Sequence, residues 1–155
     1  MIINMRNKFT KDVKEIISGS AEAAIRLGSP AITDGHLLLA MIGRPDIPAV
    51  STLVADLGLS SARLTMALES LVGVGPKTEG SGSRSIPLDR SAERVIRGCV
   101  KEATKLKSKD VGVVHILLAL AADPANKVSP ILEREGASYQ RIREVVALPV
   151  GPGER

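Results

Sequence analysis

The segment DGHLLLAMI, residues Asp34–Ile42, places one histidine at the head of a nearly unbroken apolar run. The same pattern returns in VVHILLALAA, residues Val113–Ala122, where the histidine has moved 79 positions along the chain, from 36 to 115. A helix that is apolar nearly all round is typically buried between other elements. We therefore predict two buried central helices, one in each half of the chain.

The two halves of the chain match each other beyond these helices. With the histidines aligned, Gly19 falls on Gly98. After a slip of one residue, VSTLVADLG meets VSPILEREG, which places Gly58 on Gly136. Self-similarity at a fixed spacing marks duplicated structural units, so we interpret the chain as a tandem duplication of about 75 residues per unit.

Each unit is predicted to contain four helices, because apolar residues recur at helical spacing between capping and turn residues. Thr10 and Ser60 are candidate N-caps, and the glycines Gly58 and Gly136 suit the left-handed end of a helix. The predicted helices are about 10–27, 34–42, 48–58 and one after Ser60 in the first unit, then 89–106, 113–122, 129–135 and 138–148 in the second. We expect an all-α fold of eight helices in two four-helix repeats related by a pseudo-twofold axis.

The division of the chain follows from its composition. We expect an N-terminal extension over 1–8, a first repeat over 9–72 and a second repeat over 88–148. Glycine, serine and proline dominate 73–87, which is linker composition. The segment 149–155 reads as a flexible tail or the start of a tether.

Composition limits the class of protein. Hydrophobic residues make up 44% and charged residues 25%, which is typical of a globular domain, and Phe9 and Tyr139 are the only aromatics. Neither apolar run approaches the roughly 20 residues that cross a bilayer, and the start lacks a signal sequence. The single Cys99 excludes an internal disulfide and any multi-cysteine zinc site. We expect a cytoplasmic protein that does not associate with membranes.

The sequence offers no catalytic constellation. Cys99 lies on the apolar face of the helix over 89–106, where burial suppresses the thiolate, so we interpret it as a core residue. Pro76 precedes Lys77 in GVGPKTEG, where a phosphate-binding loop needs glycine, so no ATPase motif is present. His36 and His115 have no further ligands nearby and are interpreted as neutral structural residues at helix entries, not as metal ligands. We therefore expect no metal, no cofactor and no catalytic residue.

One charged stripe remains to be explained. Helical spacing places five cations on one face of the helix over 89–106, and Glu93 and Glu102 interleave with them. The five are Arg90, Arg94, Arg97, Lys101 and Lys105. A solvated helix face is the simpler interpretation, and nucleic-acid binding through this basic face is the alternative.

The residues resemble a known family. KFTKDVKEIISGSAEAAIRLG, then ITDGHLLLAMI, a Gly/Ser linker and a second copy containing VGVVHILLALA look like the double repeat of the Clp amino-terminal domain. This domain heads the Clp/Hsp100 AAA+ unfoldases, and the likeness covers about 9–148 and is greatest to the ClpC and ClpA branch. The family takes part in chaperone action, ATP-dependent proteolysis and stress response.

The resemblance implies a non-enzymatic module that binds adaptor proteins or substrates and delivers them to the ATPase ring and the ClpP peptidase. A free-standing accessory subunit of the Clp protease is the alternative within this class. A helical-bundle enzyme has no supporting constellation. In this family, adaptor contacts lie near the starts of the first and second helices of each unit, which points to Thr10, Lys11, Asp34, Asp89 and Arg90.

The sequence departs from the family at one place. In the ClpC branch the segment before each histidine resembles Gly-Thr-Glu-His, and its glutamate helps to bind phosphoarginine. Gly35 and Val114 stand at those two positions here. Each lost carboxylate removes a charge-assisted hydrogen bond worth roughly 1.5–3 kcal/mol, so we expect phosphoarginine binding to be lost or weak.

Overall fold

A computed structural model describes residues 8–73, 75 and 86–147 of the chain. Within them it contains the eight predicted helices and one two-stranded parallel pairing. Residues 1–7 of the extension predicted over 1–8, most of the linker and the tail lie outside the described residues. The helices are α1 (Lys11–Arg26), α2 (Asp34–Ile42), α3 (Pro48–Leu57), α4 (Ser61–Val72), α5 (Arg90–Lys105), α6 (Val113–Ala122), α7 (Val128–Arg134) and α8 (Tyr139–Ala147). The all-α prediction is confirmed.

Local capping chemistry defines the helix ends. The Thr10 hydroxyl accepts a hydrogen bond from the Val13 N–H at 3.2 Å, and Asp89 caps α5 in the same way through the Ala92 N–H at 2.9 Å. These side chains satisfy N–H groups that have no partner within the helix. Gly58 ends α3 with a φ of 66°, a left-handed conformation that favours glycine.

Some predicted boundaries were wrong by a residue. α7 begins at Val128 rather than Ser129. Pro130 then lies in the first turn of the helix, where proline is tolerated because the backbone N–H there has no acceptor within the helix. The first and fifth helices are shorter than predicted by one residue at each end, since Thr10 and Asp89 act as N-caps and Leu27 and Leu106 as C-caps. The predicted end of α8 at Leu148 lies outside the described residues.

The core is built around α2 and α6, as their apolar sequences predict. Every residue of α2 except Ala40 is buried, and α6 is buried from Ile116 to Ala121. Within each repeat the long first helix packs on the central one, α1 on α2 and α5 on α6. The apolar side chains of both repeats form one continuous cluster, so neither repeat has a core of its own.

The repeats exchange contacts reciprocally. Helix α3 of the first repeat contacts α6 and α8, and α7 of the second contacts α2 and α4. Phe9 pairs with Val111 in strands β1 (Lys8–Phe9) and β2 (Asp110–Val111), and Ile32 forms an isolated parallel bridge with Leu88. In each case the segment before the first helix of one repeat pairs with the segment before the second helix of the other. This equivalence is what a pseudo-twofold relation between the repeats requires.

No helix in the described part of the chain is both long and apolar enough to cross a membrane.

Candidate functional site

Two histidines occupy equivalent positions at the entries of α2 and α6. The backbone N–H of Thr33 donates to His36 Nδ1 at 3.0 Å, and the N–H of Gly112 donates to His115 Nδ1 at 2.8 Å. Each imidazole thus caps its own helix through an acceptor nitrogen, which requires the neutral form with the proton on Nε2. Burial lowers the pKa of both imidazoles below the usual value for histidine. Both histidines therefore lie at the entry of a helix, where each accepts a backbone hydrogen bond.

Beside His36, an aspartate joins the two repeats. Asp34 is 2% exposed, and its Oδ2 accepts a hydrogen bond from the Val128 N–H at 3.3 Å. Its Oδ1 accepts from the Gly35 N–H at 2.9 Å, and its own N–H donates to Ser91 Oγ at 3.0 Å. The Ser91 hydroxyl in turn donates to Asp89 Oδ1 at 2.6 Å. Asp34 therefore links the start of α2 to α7 through its carboxylate and to α5 through its backbone N–H.

A small cavity of about 230 Å³ lies against this junction. Its lining includes the carboxylates of Asp34 and Asp89 and the cations of Arg94 and Lys127. Leu71 and Val72 of α4 form part of its wall. The cavity therefore combines opposite charges in a partly apolar setting.

The structure separates the five residues that the sequence suggested as adaptor contacts. Asp34 and Asp89 meet at the cavity, where Asp34 is buried inside the junction of the repeats. Lys11 and Arg90 are exposed at equivalent positions in the first turns of α1 and α5. The side chain of Thr10 is engaged in capping α1.

Gly35 is a point of close approach between α2 and α4. A Cβ atom built on it would lie 2.5 Å from Val72 Cγ1, closer than real Cβ atoms approach. An acidic side chain therefore has no room here unless Val72 moves. Val114, at the equivalent position in the second repeat, is half-buried.

An open groove of about 860 Å³ lies between α1 and the second half of α2. Small and apolar residues form its floor, namely Gly19, Ala23, Leu39, Ala40 and Gly43. Charged residues stand at its rim, namely Lys11, Lys14, Glu15, Glu22, Arg26 and Arg44. We call this depression the α1–α2 groove.

An ion pair closes one end of the α1–α2 groove. Arg44 contacts Glu15 and Asp46 at 2.9 Å each, and these hydrogen bonds lower the pKa of Asp46. At the equivalent place in the second repeat, Arg94 contacts Asp123 at 3.3 Å. With the histidines aligned, Glu15 corresponds to Arg94 and Arg44 to Asp123, so the same connection is made with the charges exchanged. The alignment of the repeats contained this signal, but our sequence analysis missed it.

A second polar cluster, also missed, anchors α8. Glu102 is 3% exposed and accepts a hydrogen bond from the Tyr139 hydroxyl at 2.8 Å. Arg143 donates to the same hydroxyl at 3.1 Å. Glu102 is therefore buried, but its Oε2 also contacts Lys105 Nζ at 3.4 Å, in agreement with the expectation that it interleaves with the basic stripe on α5.

The described residues show no grouping that suggests catalysis or metal binding. Cys99 is buried, and burial raises the pKa of its thiol to about 12, so it remains protonated at neutral pH. No group of three or more His, Cys, Asp or Glu residues in the described part is arranged to hold a metal ion.

Comparison with known proteins agrees with this picture. The family described as Clp repeat (R) N-terminal domain matches residues 8–151. The chain is 31% identical over 150 residues to the negative regulator of genetic competence ClpC/MecB of Bacillus subtilis, and 30% identical to the chaperone protein ClpB of Oceanobacillus iheyensis. In each case the match covers 97% of this chain and 18% of the relative, so the chain spans less than a fifth of their length.

Solved structures show the same fold. The Hsp104 N-terminal domain from Candida albicans superposes with a TM-score of 0.69 at 23% identity, covering 90% of this chain and 89% of that one. The N-domain of ClpV from Vibrio cholerae gives 0.67 at 18% identity, with 90% and 83% covered. The N-terminal domain of ClpD from Arabidopsis thaliana gives 0.66 at 20% identity, with 94% and 96% covered.

Proposed function

The chain belongs to the Clp repeat N-terminal domain family, and we propose that it is a non-catalytic protein-recognition module of a Clp-type unfoldase. In this role it binds adaptor proteins or substrates in the cytoplasm and delivers them to an ATPase ring and the ClpP peptidase. Family membership supports a binding module of this kind, and the delivery step is our proposal.

The α1–α2 groove is the observation that carries the proposal. Its floor consists of small side chains, so the backbone of a bound segment can approach α1 and α2 closely. Its volume of about 860 Å³ falls within the roughly 300–1,000 Å³ of typical ligand sites, and it is open along its length. A segment of a protein fits such an open groove better than an enclosed small molecule does.

Charged residues around the groove would set which segments bind. Lys11 stands at the rim beside the capping residue Thr10, and at the same end of the groove Glu15 contacts both Lys11, at 3.9 Å, and Arg44, at 2.9 Å. Asp89 and Arg90 occupy the equivalent helix start in the second repeat. We propose Lys11 and Arg90 as contacts at two related surfaces, because their side chains are exposed.

Filling the groove tests the proposal. Ser18 lines the groove and is exposed, so Ser18→Trp occupies it without entering the core. Ser70→Trp is a matched control, since Ser70 is exposed on α4 outside the groove. Crosslinking and affinity capture should recover adaptor proteins and Clp subunits with the unaltered protein and Ser70→Trp, and lose the adaptors with Ser18→Trp.

Recovery of neither adaptors nor Clp ATPase or peptidase subunits by the unaltered protein would contradict the proposal. The coding sequence beyond Arg155 distinguishes two forms of the proposed module, one fused to an ATPase and one free-standing. A phosphate-binding loop there indicates a module fused to its ATPase, whereas its absence in the complete gene indicates a free-standing accessory subunit of the protease.

A further inference from the structure

Helix α5 carries a row of five cations, of which three pair with acids of the fold and two form no ion pair among the described residues. The row consists of Arg90, Arg94, Arg97, Lys101 and Lys105, and we call it the basic row. Consecutive members lie three or four residues apart, which places them on one face of the helix. At 1.5 Å per residue, the row is about 22 Å long.

The basic row faces outward. The side chains of Arg97 and Lys105 are 61% and 57% exposed, and Arg90 and Lys101 are also exposed. Among the described residues, no ion pair is recorded for Arg90 or Lys101. Glu102 is buried against Tyr139 but also pairs with Lys105 at 3.4 Å, and Glu93 pairs with Arg97 at 4.0 Å, so these two acids offset part of the charge of the row.

The first repeat offers an internal comparison. The positions of α1 equivalent to the basic row hold a mixture of charges, namely Lys11, Glu15, Ser18, Glu22 and Arg26. The two repeats share a backbone plan, so the fold does not require cations at these positions. The fold uses Arg94 in its ion pair with Asp123, but the cations Arg90 and Lys101 are a property of this surface and not of the helix packing.

We propose that the basic row binds an acidic segment of a partner protein. This inference rests on the proposed function and specifies the charge of one segment that the module recognises. A row of carboxylates on the partner would lie opposite the row of cations, and the attraction would also steer the partner during approach.

The surroundings of the row favour a protein over a nucleic acid. Two carboxylates border it, Glu93 at 50% and Asp123 at 41% exposure. A nucleic acid carries a phosphate at every step and would meet both carboxylates, whereas a protein segment can place neutral or basic residues there. The described surface also has no exposed aromatic for base stacking, since Phe9 and Tyr139 are both half-buried.

Charge reversal on α5 provides the test. Lys101→Glu and Arg97→Glu each reverse one exposed member of the row. Arg141→Glu on α8 is the matched control, since Arg141 is also exposed and lies outside the row. The probe is a fluorescent poly-glutamate peptide long enough to follow the row, followed by anisotropy at low and at physiological ionic strength.

We expect the unaltered protein and Arg141→Glu to bind the peptide at low salt. Each reversal in the row should weaken binding about tenfold, as expected for exchanging attraction for repulsion at an exposed site. Added salt should weaken binding by all the proteins, because the contacts are screened over about 10 Å at 0.1 M.

Equal binding by all the proteins would overturn the inference, as would absence of peptide binding at low salt. A duplex or single-stranded DNA oligonucleotide that binds the row more tightly than the peptide would overturn it in favour of a nucleic-acid partner. If adaptors are still captured while the row proves inert, this inference fails and the proposed function stands. Loss of adaptor capture together with loss of peptide binding would count against both the inference and the proposed function.

Discussion

The carboxylate of Asp34 accepts a hydrogen bond from the backbone N–H of Val128, which lies 94 residues further along the chain. The bond joins the entry of α2 in the first repeat to the start of α7 in the second. Val113 occupies the position equivalent to Asp34 in the second repeat, so the bond has no symmetric counterpart. The pseudo-twofold relation of the helices is therefore broken at this polar contact.

Removing the Asp34 carboxylate should destabilise the junction of the repeats. Asp34→Ala leaves the buried N–H of Val128 without its acceptor, which costs about 1–3 kcal/mol. Urea unfolding followed by circular dichroism should show this loss. Asp56→Ala, an exposed position in α3, is the control and should change stability little. Equal stability of the two variants would show that the contact contributes nothing.

The close approach between Gly35 and Val72 predicts that substitutions at these two positions have non-additive effects on stability. Gly35→Ala should destabilise the protein by about 1–3 kcal/mol, because the new Cβ overlaps Val72 Cγ1. Val72→Ala removes that atom, so in a double-mutant cycle the combined variant should lose less than the sum of the single variants.

Gly19→Ala is the control for this pair. The nearest atom to its new Cβ is Ala40 Cβ at 3.4 Å, which is ordinary contact. Alanine favours helix over glycine by up to about 1 kcal/mol, so this variant should be at least as stable as the parent. An additive cycle at positions 35 and 72 would contradict the steric explanation.

We expect the two buried histidines to make the folded protein less stable in mild acid. Burial lowers their pKa in the folded state, so below the usual histidine pKa of about 6.5 the unfolded chain binds protons that the folded chain does not. The free energy of unfolding should fall as the pH decreases from about 7, by at most about 2.7 kcal/mol per pH unit for two groups.

The variant His36→Gln with His115→Gln tests the origin of this dependence. Glutamine at the third helical position can still accept a hydrogen bond from the N-cap N–H, but it does not titrate. Unfolding measured between pH 7.5 and 5.5 should therefore vary less in this variant. An unchanged pH dependence would assign it to other groups.

Phosphoarginine recognition should be absent or weak. The resemblance to the ClpC branch places the binding glutamates at Gly35 and Val114, and neither residue offers a carboxylate. Calorimetric titration with a phosphoarginine peptide should detect no binding to the unaltered protein, and Val114→Glu should gain affinity because it restores one acid. Micromolar binding by the unaltered protein would show that other residues supply the contact.

Much of the fold could be predicted because the helices carry local signals. The bounds of α2 and α6 were predicted to the residue, since each is an apolar run bounded by polar or glycine positions. Thr10 and Ser60 were recognised as N-caps from residue type alone. The start of α7 was placed one residue late, because Val128 precedes the Ser-Pro pair that was taken as the start.

Side-chain partners across the repeats could not be predicted in this way. Glu102 reads as a surface acid in the sequence, yet Tyr139 of α8 draws it into the interior. Asp34 lies in the first turn of α2, and no local pattern indicates that the start of α7 packs against it. Both burials have one cause, since burial depends on which distant element packs there.

The sequence by itself determined the duplication, the all-α class, the two central helices and the family, because periodicity and capping act over a few residues and repeat visibly. Tertiary structure alone decided which surfaces remain open, that Asp34 joins the repeats, that Gly35 has no room for an acid, and that Glu102 is buried against Tyr139. These properties depend on packing between segments tens of residues apart, and such packing leaves no periodic pattern in the chain.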